Sequence, residues 1–203
     1  MVQKQVCVGV VGAGAISDIY LKNMINRFDN LSVKSICAAH LESAQKKAKE
    51  YGIQAVTMEE MYNDPEIRMI VNLTPAHVHY DVIKRALEHG KHVYTEKTLT
   101  DDINKSAELV RLANEKGLYL GSAPDTFMGA ALQTARSAID SGMLGEIHSF
   151  AVSANWNNDI LLSVFDFLRK PGGGIVCDYA VYYVTALVSL LGPVARVGSI
   201  VGY

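Results

Sequence analysis

Apolar and polar positions along this chain follow two periods in turn. Short apolar runs at Gln5–Val11, Val33–Ala39, Met69–Leu73, His92–Thr95 and Leu118–Ser122 have the length and continuity of strands buried in a parallel sheet. Between them the apolar positions recur at helical spacing. Leu41, Ala44, Ala48 and Tyr51 share one face ahead of Gly52, Val82, Ile83, Ala86 and Leu87 form a stripe ahead of Gly90, and Ile103, Ala107, Val110 and Leu112 form another ahead of Gly117. A glycine just past the last periodic residue is a common helix stop, because it enters the left-handed region without a Cβ penalty. The pattern predicts a βαβ series, with right-handed crossovers stacking helices on both faces of one sheet and ligands bound at its carboxyl edge.

After Ser122 the pattern changes. Pro124-Asp125 opens a helix predicted to place Met128, Leu132, Ala135 and Ile139 on one face and to end at Gly142. A β-like run from Glu146 to Trp156 follows, then a loop through Pro171-Gly172-Gly173-Gly174, a helix from about Asp178 to Leu191, and a strand-like stretch from Val194 to Val201. The expected architecture is α/β: a Rossmann-type doubly wound parallel sheet over residues 1–122, then an incomplete α+β domain over 123–203. One or two strands cannot cover their own apolar face, so the second region is expected to belong to a longer chain or to be covered by another.

The join between the first strand and the first helix reads Gly12-Ala13-Gly14-Ala15-Ile16-Ser17. Gly12 can take backbone angles that a Cβ forbids, and Gly14 lacks the side chain that would keep a pyrophosphate from the backbone. A helix starting near Ala15 would aim its free N–H groups and the positive end of its dipole at that anion. Ser17 stands where a third glycine is usual, and two glycines alone also suit a plain βα turn.

Composition narrows the partners. With 203 residues, 49% hydrophobic and 20% charged, the chain is a globular protein of one or two domains. Its 19 basic and 21 acidic side chains leave a net charge of −2, which favours neither nucleic acid nor an anionic membrane as partner. Cys7, Cys37 and Cys177 are odd in number and widely spaced, as expected of a reducing, cytoplasmic setting. The apolar stretch behind Lys4 contains three glycines, and no stretch approaches the roughly 20 apolar residues of a membrane span.

Further along stand Thr74-Pro75-Ala76-His77-Val78-His79 and Tyr94-Thr95-Glu96-Lys97-Thr98. Together with the glycine turn, these resemble the Gfo/Idh/MocA family of glucose-fructose oxidoreductases and inositol dehydrogenases. That family carries T-P-x-x-x-H after one strand and E-K-P after the next. Thr74, Pro75 and His79 match the first motif; Glu96 and Lys97 match the second, with Thr98 replacing the proline. The likeness extends through Ser122–Phe127, Gly142–Glu146 and Gly172–Asp178, and the usual greater length of members implies truncation at Tyr203.

The resemblance implies a nicotinamide cofactor, NAD or NADP, framed by Thr74, Pro75, His79, Glu96 and Lys97, with Gly12, Gly14, Ala15 and Ile16 at the pyrophosphate. It also implies a D-x-G-x-H or D-x-G-x-Y pattern after the triple glycine, which here reads Asp178-Tyr179-Ala180-Val181-Tyr182. The spacing puts Asp178 and Tyr182 on one helical face. Lys97, Asp178 and Tyr182 are thus the candidates for moving the proton, with Tyr182 as immediate carrier and Lys97 as its activator. A lysine ending a parallel strand lies where such a site belongs, and one in a desolvated cleft can exchange a proton near neutral pH. His40, after the second strand, replaces both the acidic residue that suits NAD and the arginine that suits NADP, so the choice stays open; it is also a plausible helix-start residue.

Other chemistries find less support. His77 and His79 lack a third ligand at metal spacing, and His89, His92 and His148 are scattered, so no metal is expected. No G-x-S-x-G elbow marks a covalent hydrolase. Trp156, among Asn155, Asn157 and Asn158, is a candidate sugar-stacking surface or a core residue. The expected function is hydride transfer at a secondary hydroxyl of a sugar, polyol or related cyclic alcohol, in a homo-oligomer paired through the second-region sheet. The departures at Ser17, Thr98 and Ala180 keep a non-catalytic dinucleotide-binding module as the alternative.

Overall fold

Six parallel strands, β1 (Val6–Val11), β2 (Leu31–Cys37), β3 (Gln54–Ala55), β4 (Met69–Asn72), β5 (His92–Thr95) and β6 (Leu120–Ser122), pair in the spatial order β3-β2-β1-β4-β5-β6. The computed structural model describes residues 5–155, 160, 166–169 and 174–199, and its two compact units divide between Ala123 and Pro124. The order reverses between β1 and β4, which makes their carboxyl ends the switch point of a doubly wound sheet.

Successive side chains of a strand point to opposite faces, and the sheet is covered on both. Val8 and Val10 of β1 and Val71 of β4 pack with Leu21 and Met24 of α1 (Ser17–Asn26) and Ala44 and Ala48 of α2 (Leu41–Tyr51). On the other face Val11 and Ile70 pack with Met61 and Tyr62 of α3 (Met58–Asn63), Ile83, Ala86 and Leu87 of α4 (His79–Glu88), and Leu109 and Ala113 of α5 (Ile103–Glu115). Each fully buried aliphatic side chain contributes roughly 1.5–3 kcal/mol. Ile83, Ala86 and Leu87 are all wholly buried, so α4 is held firmly against the sheet. That matters for function, because α4 begins at His79.

The expected parallel strands and the α4 stripe are all present, the α2 stripe packs through Ala44, Ala48 and Tyr51 while Leu41 at the start of the helix is exposed, and Gly52 caps α2 in the left-handed conformation. β3 and α3 occupy a stretch to which the periodicity assigned nothing. The local signal for α3 is a capping box, in which the Thr57 hydroxyl accepts from the Glu60 N–H at 3.2 Å and the Glu60 carboxylate accepts from the Thr57 N–H at 2.8 Å. For α5 only Leu112 of the four expected stripe positions faces inward. Ile103, Ala107 and Val110 are exposed, and the helix buries Leu109 and Ala113, with Leu112 packed beside them. Both stripes fit a 3.6-residue period; packing against α4 and the sheet selects the second.

In the second unit, α6 (Ala130–Asp140) half-buries Leu132, Ala135 and Ile139, whereas Met128 lies in a preceding 3₁₀ turn and is exposed. A π-helical stretch, Ile175–Ala180, runs into α7 (Val181–Leu191), so this helix starts three residues before Asp178. Arg136 on α6 donates to the Ser189 carbonyl of α7. The strands expected over 146–156 and 194–201 are not formed among the described residues of these stretches. An apolar run becomes a strand only when a neighbour takes up its backbone hydrogen bonds, and no described segment does so. The sheet surface expected to pair subunits is accordingly absent among the described residues.

Candidate functional site

Parallel registration brings the chemistry to one edge. Val11 pairs with Cys37 on one side and Asn72 on the other, Asn72 with Thr95, and Thr95 with Ser122, so these strand ends form a row. The residues that follow each strand, Gly12, Ala38, Leu73, Glu96 and Ala123, therefore emerge together. The Gly12 N–H donates to Cys37 O at 2.8 Å, Leu73 N–H to Val11 O at 2.7 Å, Glu96 N–H to Asn72 O at 2.9 Å and Ala123 N–H to Thr95 O at 2.9 Å.

The two glycines of the turn play different parts. Gly12 is buried at φ +112°, and a Cβ on it would stand 2.7 Å from the Leu73 carbonyl oxygen and 2.8 Å from its carbon. It is glycine because β1 and β4 approach this closely at the switch point. Gly14 is exposed, and a Cβ there would meet no atom within 4 Å. Nothing in the protein's own packing demands glycine at 14; open space above the backbone is what a phosphate needs. Ser17 is wholly buried, its hydroxyl donating to Gly14 O at 2.6 Å and its N–H to the same oxygen at 3.0 Å. The atypical third position thus braces the turn. Ala15 and Ile16 form its exposed rim, and no side chain caps the helix at Ile16.

Beside the turn lies a buried polar frame in which Asn72 and Thr95, to which the sequence patterns gave no role, join Thr74 and His79. Asn72 and Thr95 are both wholly buried, and the Asn72 amide donates to Thr95 Oγ1 at 3.0 Å. Asn72 Oδ1 accepts from the Thr74 hydroxyl at 2.7 Å and from the Thr74 N–H at 3.2 Å, which fixes the start of the Thr74-Pro75 loop. His79 is wholly buried, with Nε2 2.7 Å from Thr74 O and Nδ1 2.7 Å from Thr98 O. A neutral ring donates through one nitrogen only, the imidazolium through both. Burial is the largest influence and holds the His79 pKa below its ordinary value, against the pull of the two carbonyls. Both ring nitrogens thus face backbone carbonyls, and the His79 side chain stands between the Thr74 and Thr98 loops.

Glu96 and Lys97 leave the end of β5 half-buried. The Glu96 carboxylate accepts from the phenol of Tyr20, on α1, at 2.5 Å and from the Lys97 N–H at 3.1 Å. Burial and this carboxylate push the Tyr20 pKa far above the ordinary tyrosine value. His40 is exposed as the residue preceding α2, and its side chain makes no cap to that helix. In the second unit Asp178 sits in the π-helical stretch and Tyr182 in α7, both half-buried, while the Tyr183 phenol donates to that of Tyr179 at 3.2 Å. Trp156 lies outside the described residues, as do Gly172 and Gly173. Among the described residues no group of three or more His, Cys, Asp or Glu is placed to hold a metal, and no helix is long and apolar enough to cross a membrane.

A six-stranded parallel sheet of this order, with an open glycine turn at its switch point, defines an α/β dinucleotide-binding protein of the Rossmann type. The chain belongs to the GFO/IDH/MocA family: residues 6–123 match the oxidoreductase family with NAD-binding Rossmann fold, and residues 132–202 match the GFO/IDH/MocA C-terminal domain. It is 31% identical over 192 residues to an uncharacterized oxidoreductase of Escherichia coli K12, an alignment covering 90% of this chain and 52% of that protein. It is 26% identical over 148 residues to the scyllo-inositol 2-dehydrogenase (NADP(+)) of Bacillus subtilis 168, covering 73% of this chain and 41% of that one. Among solved structures, a 3-ketoreductase from Actinomadura kijaniata in complex with NADP and TDP-benzene superposes with a TM-score of 0.78 at 26% identity, over 93% of this chain and 58% of that one. The chain spans about half the length of the curated relatives it matches.

Proposed function

We propose that this chain serves an NAD(P)-dependent oxidoreductase that transfers a hydride between nicotinamide and a secondary hydroxyl of a sugar, polyol or related cyclic alcohol. The observation that carries this reading is the row of strand ends, with an open glycine turn at the switch point and Lys97 at the end of β5, two strands along. The names of the inositol dehydrogenase and the ketoreductase support a ring alcohol or its ketone as substrate class.

In this reading the backbone of Gly12, Gly14, Ala15 and Ile16 holds the pyrophosphate, and His40 meets the adenosine ribose. Thr74, Pro75, Glu96 and Lys97 frame the nicotinamide, and His79 keeps the two loops of that frame together. When bound, the nicotinamide supplies the hydride acceptor or donor. The proton of the hydroxyl goes to a base of this chain, and Lys97, at the end of β5, is the group the first unit supplies for that task.

The test is Lys97→Met in the full chain, assayed on a panel of sugars and polyols with NAD⁺ and NADP⁺ in turn, beside a fluorescence titration with NADH and NADPH. Turnover is expected to fall by about 10²–10⁴-fold, with nucleotide affinity essentially unchanged. Turnover near the unaltered level with binding intact overturns the assignment. Nucleotide binding by the unaltered chain without turnover of any alcohol favours the non-catalytic module instead.

A further inference from the structure

We propose that Tyr20 is a positioning residue for this site: its phenol pins the Glu96 carboxylate and so ties the helix behind the glycine turn to the strand end that carries Lys97. The proposal rests on the reading of that strand end as the hydride-transfer site.

The geometry is specific. Tyr20 lies on α1 one turn beyond the start of the helix, 76 residues away from Glu96, and donates to Oε1 at 2.5 Å, a length typical of a hydrogen bond to an ionised carboxylate. The other oxygen, Oε2, accepts the Lys97 N–H at 3.1 Å. One carboxylate therefore bridges a side chain of α1 and the backbone that orients Lys97. The Tyr20 ring is itself seated against Tyr94 of β5, with ring centroids 6.4 Å apart and planes inclined at 48°. Because burial and Glu96 both oppose loss of its proton, Tyr20 stays a donor throughout the working pH range.

The bridge has a consequence for turnover. α1 runs from the turn that would carry the pyrophosphate, and its register along the sheet is set by Leu21 and Met24 in the core. Without the phenol, Glu96 is free to leave its rotamer, and the Lys97 N–H loses the acceptor that fixes the backbone there. A group displaced by about an ångström from its productive place can cost on the order of 10²-fold in rate.

Tyr20→Phe keeps the ring and removes only the donor. Two readouts are made on the full chain. The first is amide hydrogen exchange at Lys97, whose N–H is held by Glu96 Oε2: in Tyr20→Phe it is expected to exchange roughly 10-fold faster or more, whereas a phenol that merely fills space leaves it unmoved. The second is a double-mutant cycle in kcat: Tyr20→Phe is expected to lower kcat by roughly 10-fold or more, and the double variant to be no slower than Glu96→Ala alone. Unchanged exchange at Lys97, or additive losses in the cycle, overturns the proposal. If Lys97→Met keeps full turnover, the hydride-transfer reading fails by itself, and exchange at the Lys97 amide of the Tyr20→Phe variant still decides whether Tyr20 holds Glu96.

Discussion

Alanine at Gly12 and alanine at Gly14 should fail in different ways, although the two glycines are separated by one residue. At Gly12 the φ of +112° is a region that L side chains rarely adopt, which costs roughly 1–3 kcal/mol. The new Cβ would also stand 2.7 Å from Leu73 O and 3.1 Å from Thr74 N, both backbone atoms. Those atoms cannot easily retreat, because the Leu73 N–H is bonded to Val11 O at 2.7 Å and the Thr74 N–H to Asn72 Oδ1 at 3.2 Å. Overpacking of this kind adds roughly 1–3 kcal/mol, so Gly12→Ala should lose on the order of 2–6 kcal/mol, a large part of a domain's usual stability of about 5–15 kcal/mol. Gly14 has no positive φ and open space around it, so Gly14→Ala should unfold within about 0.5 kcal/mol of the unaltered protein. On the proposed reading its methyl group would instead stand in the space open to the pyrophosphate, and NADH affinity should fall by roughly 10-fold or more. The assays are urea unfolding followed by fluorescence, and titration with NADH. A Gly14→Ala protein that is destabilised like Gly12→Ala, or that binds NADH as well as the unaltered chain, would refute the division of labour between the two glycines.

Three further outcomes are expected. Leu109→Ala should destabilise by about 2–5 kcal/mol, whereas Ile103→Ser on the exposed stripe of the same helix should change stability by less than about 0.5 kcal/mol; equal losses in denaturant unfolding would contradict the packing face of α5. Burial keeps the folded-state pKa of His79 below its unfolded value, so between pH 7 and 5 the unfolded chain takes up a proton that the folded one refuses, and stability should fall with acidification below about pH 6.5. His79→Asn should flatten that slope, leaving a remainder of the same sign from His92, whose pKa is also lowered by burial; a midpoint that does not respond to pH in the unaltered chain argues against the buried neutral ring. Thr57→Ala breaks the capping box of α3 and should lower stability by roughly 0.5–2 kcal/mol, checked by thermal unfolding, with NADH affinity unchanged because α3 supplies no residue to the strand-end row.

Much of the first unit could be read from local signals. A parallel strand buried on both faces is a continuous apolar run, and a helix stopped by glycine carries both its stripe and its end in the same dozen residues, so β1, β2, β4, β5, α2 and α4 follow from the sequence alone. The glycine turn and the Glu96-Lys97 strand end are legible for the same reason, since each is a contiguous motif. What local pattern could not decide is which of two stripes on α5 faces inward, because Ile103, Ala107 and Val110 and the stripe around Leu109 and Ala113 satisfy one period equally. Nor could it decide the state of the apolar runs after Glu146, since a strand exists only through its neighbour. Least accessible of all were the links that hold the site: Tyr20 to Glu96 across 76 residues, and His79 between the carbonyls of Thr74 and Thr98. Sequence determined which residues stand at the strand ends; the crossing of α1 and α4 over the sheet decided which of them touch, because hydrogen bonds between distant segments depend on packing and leave no periodic trace in the chain.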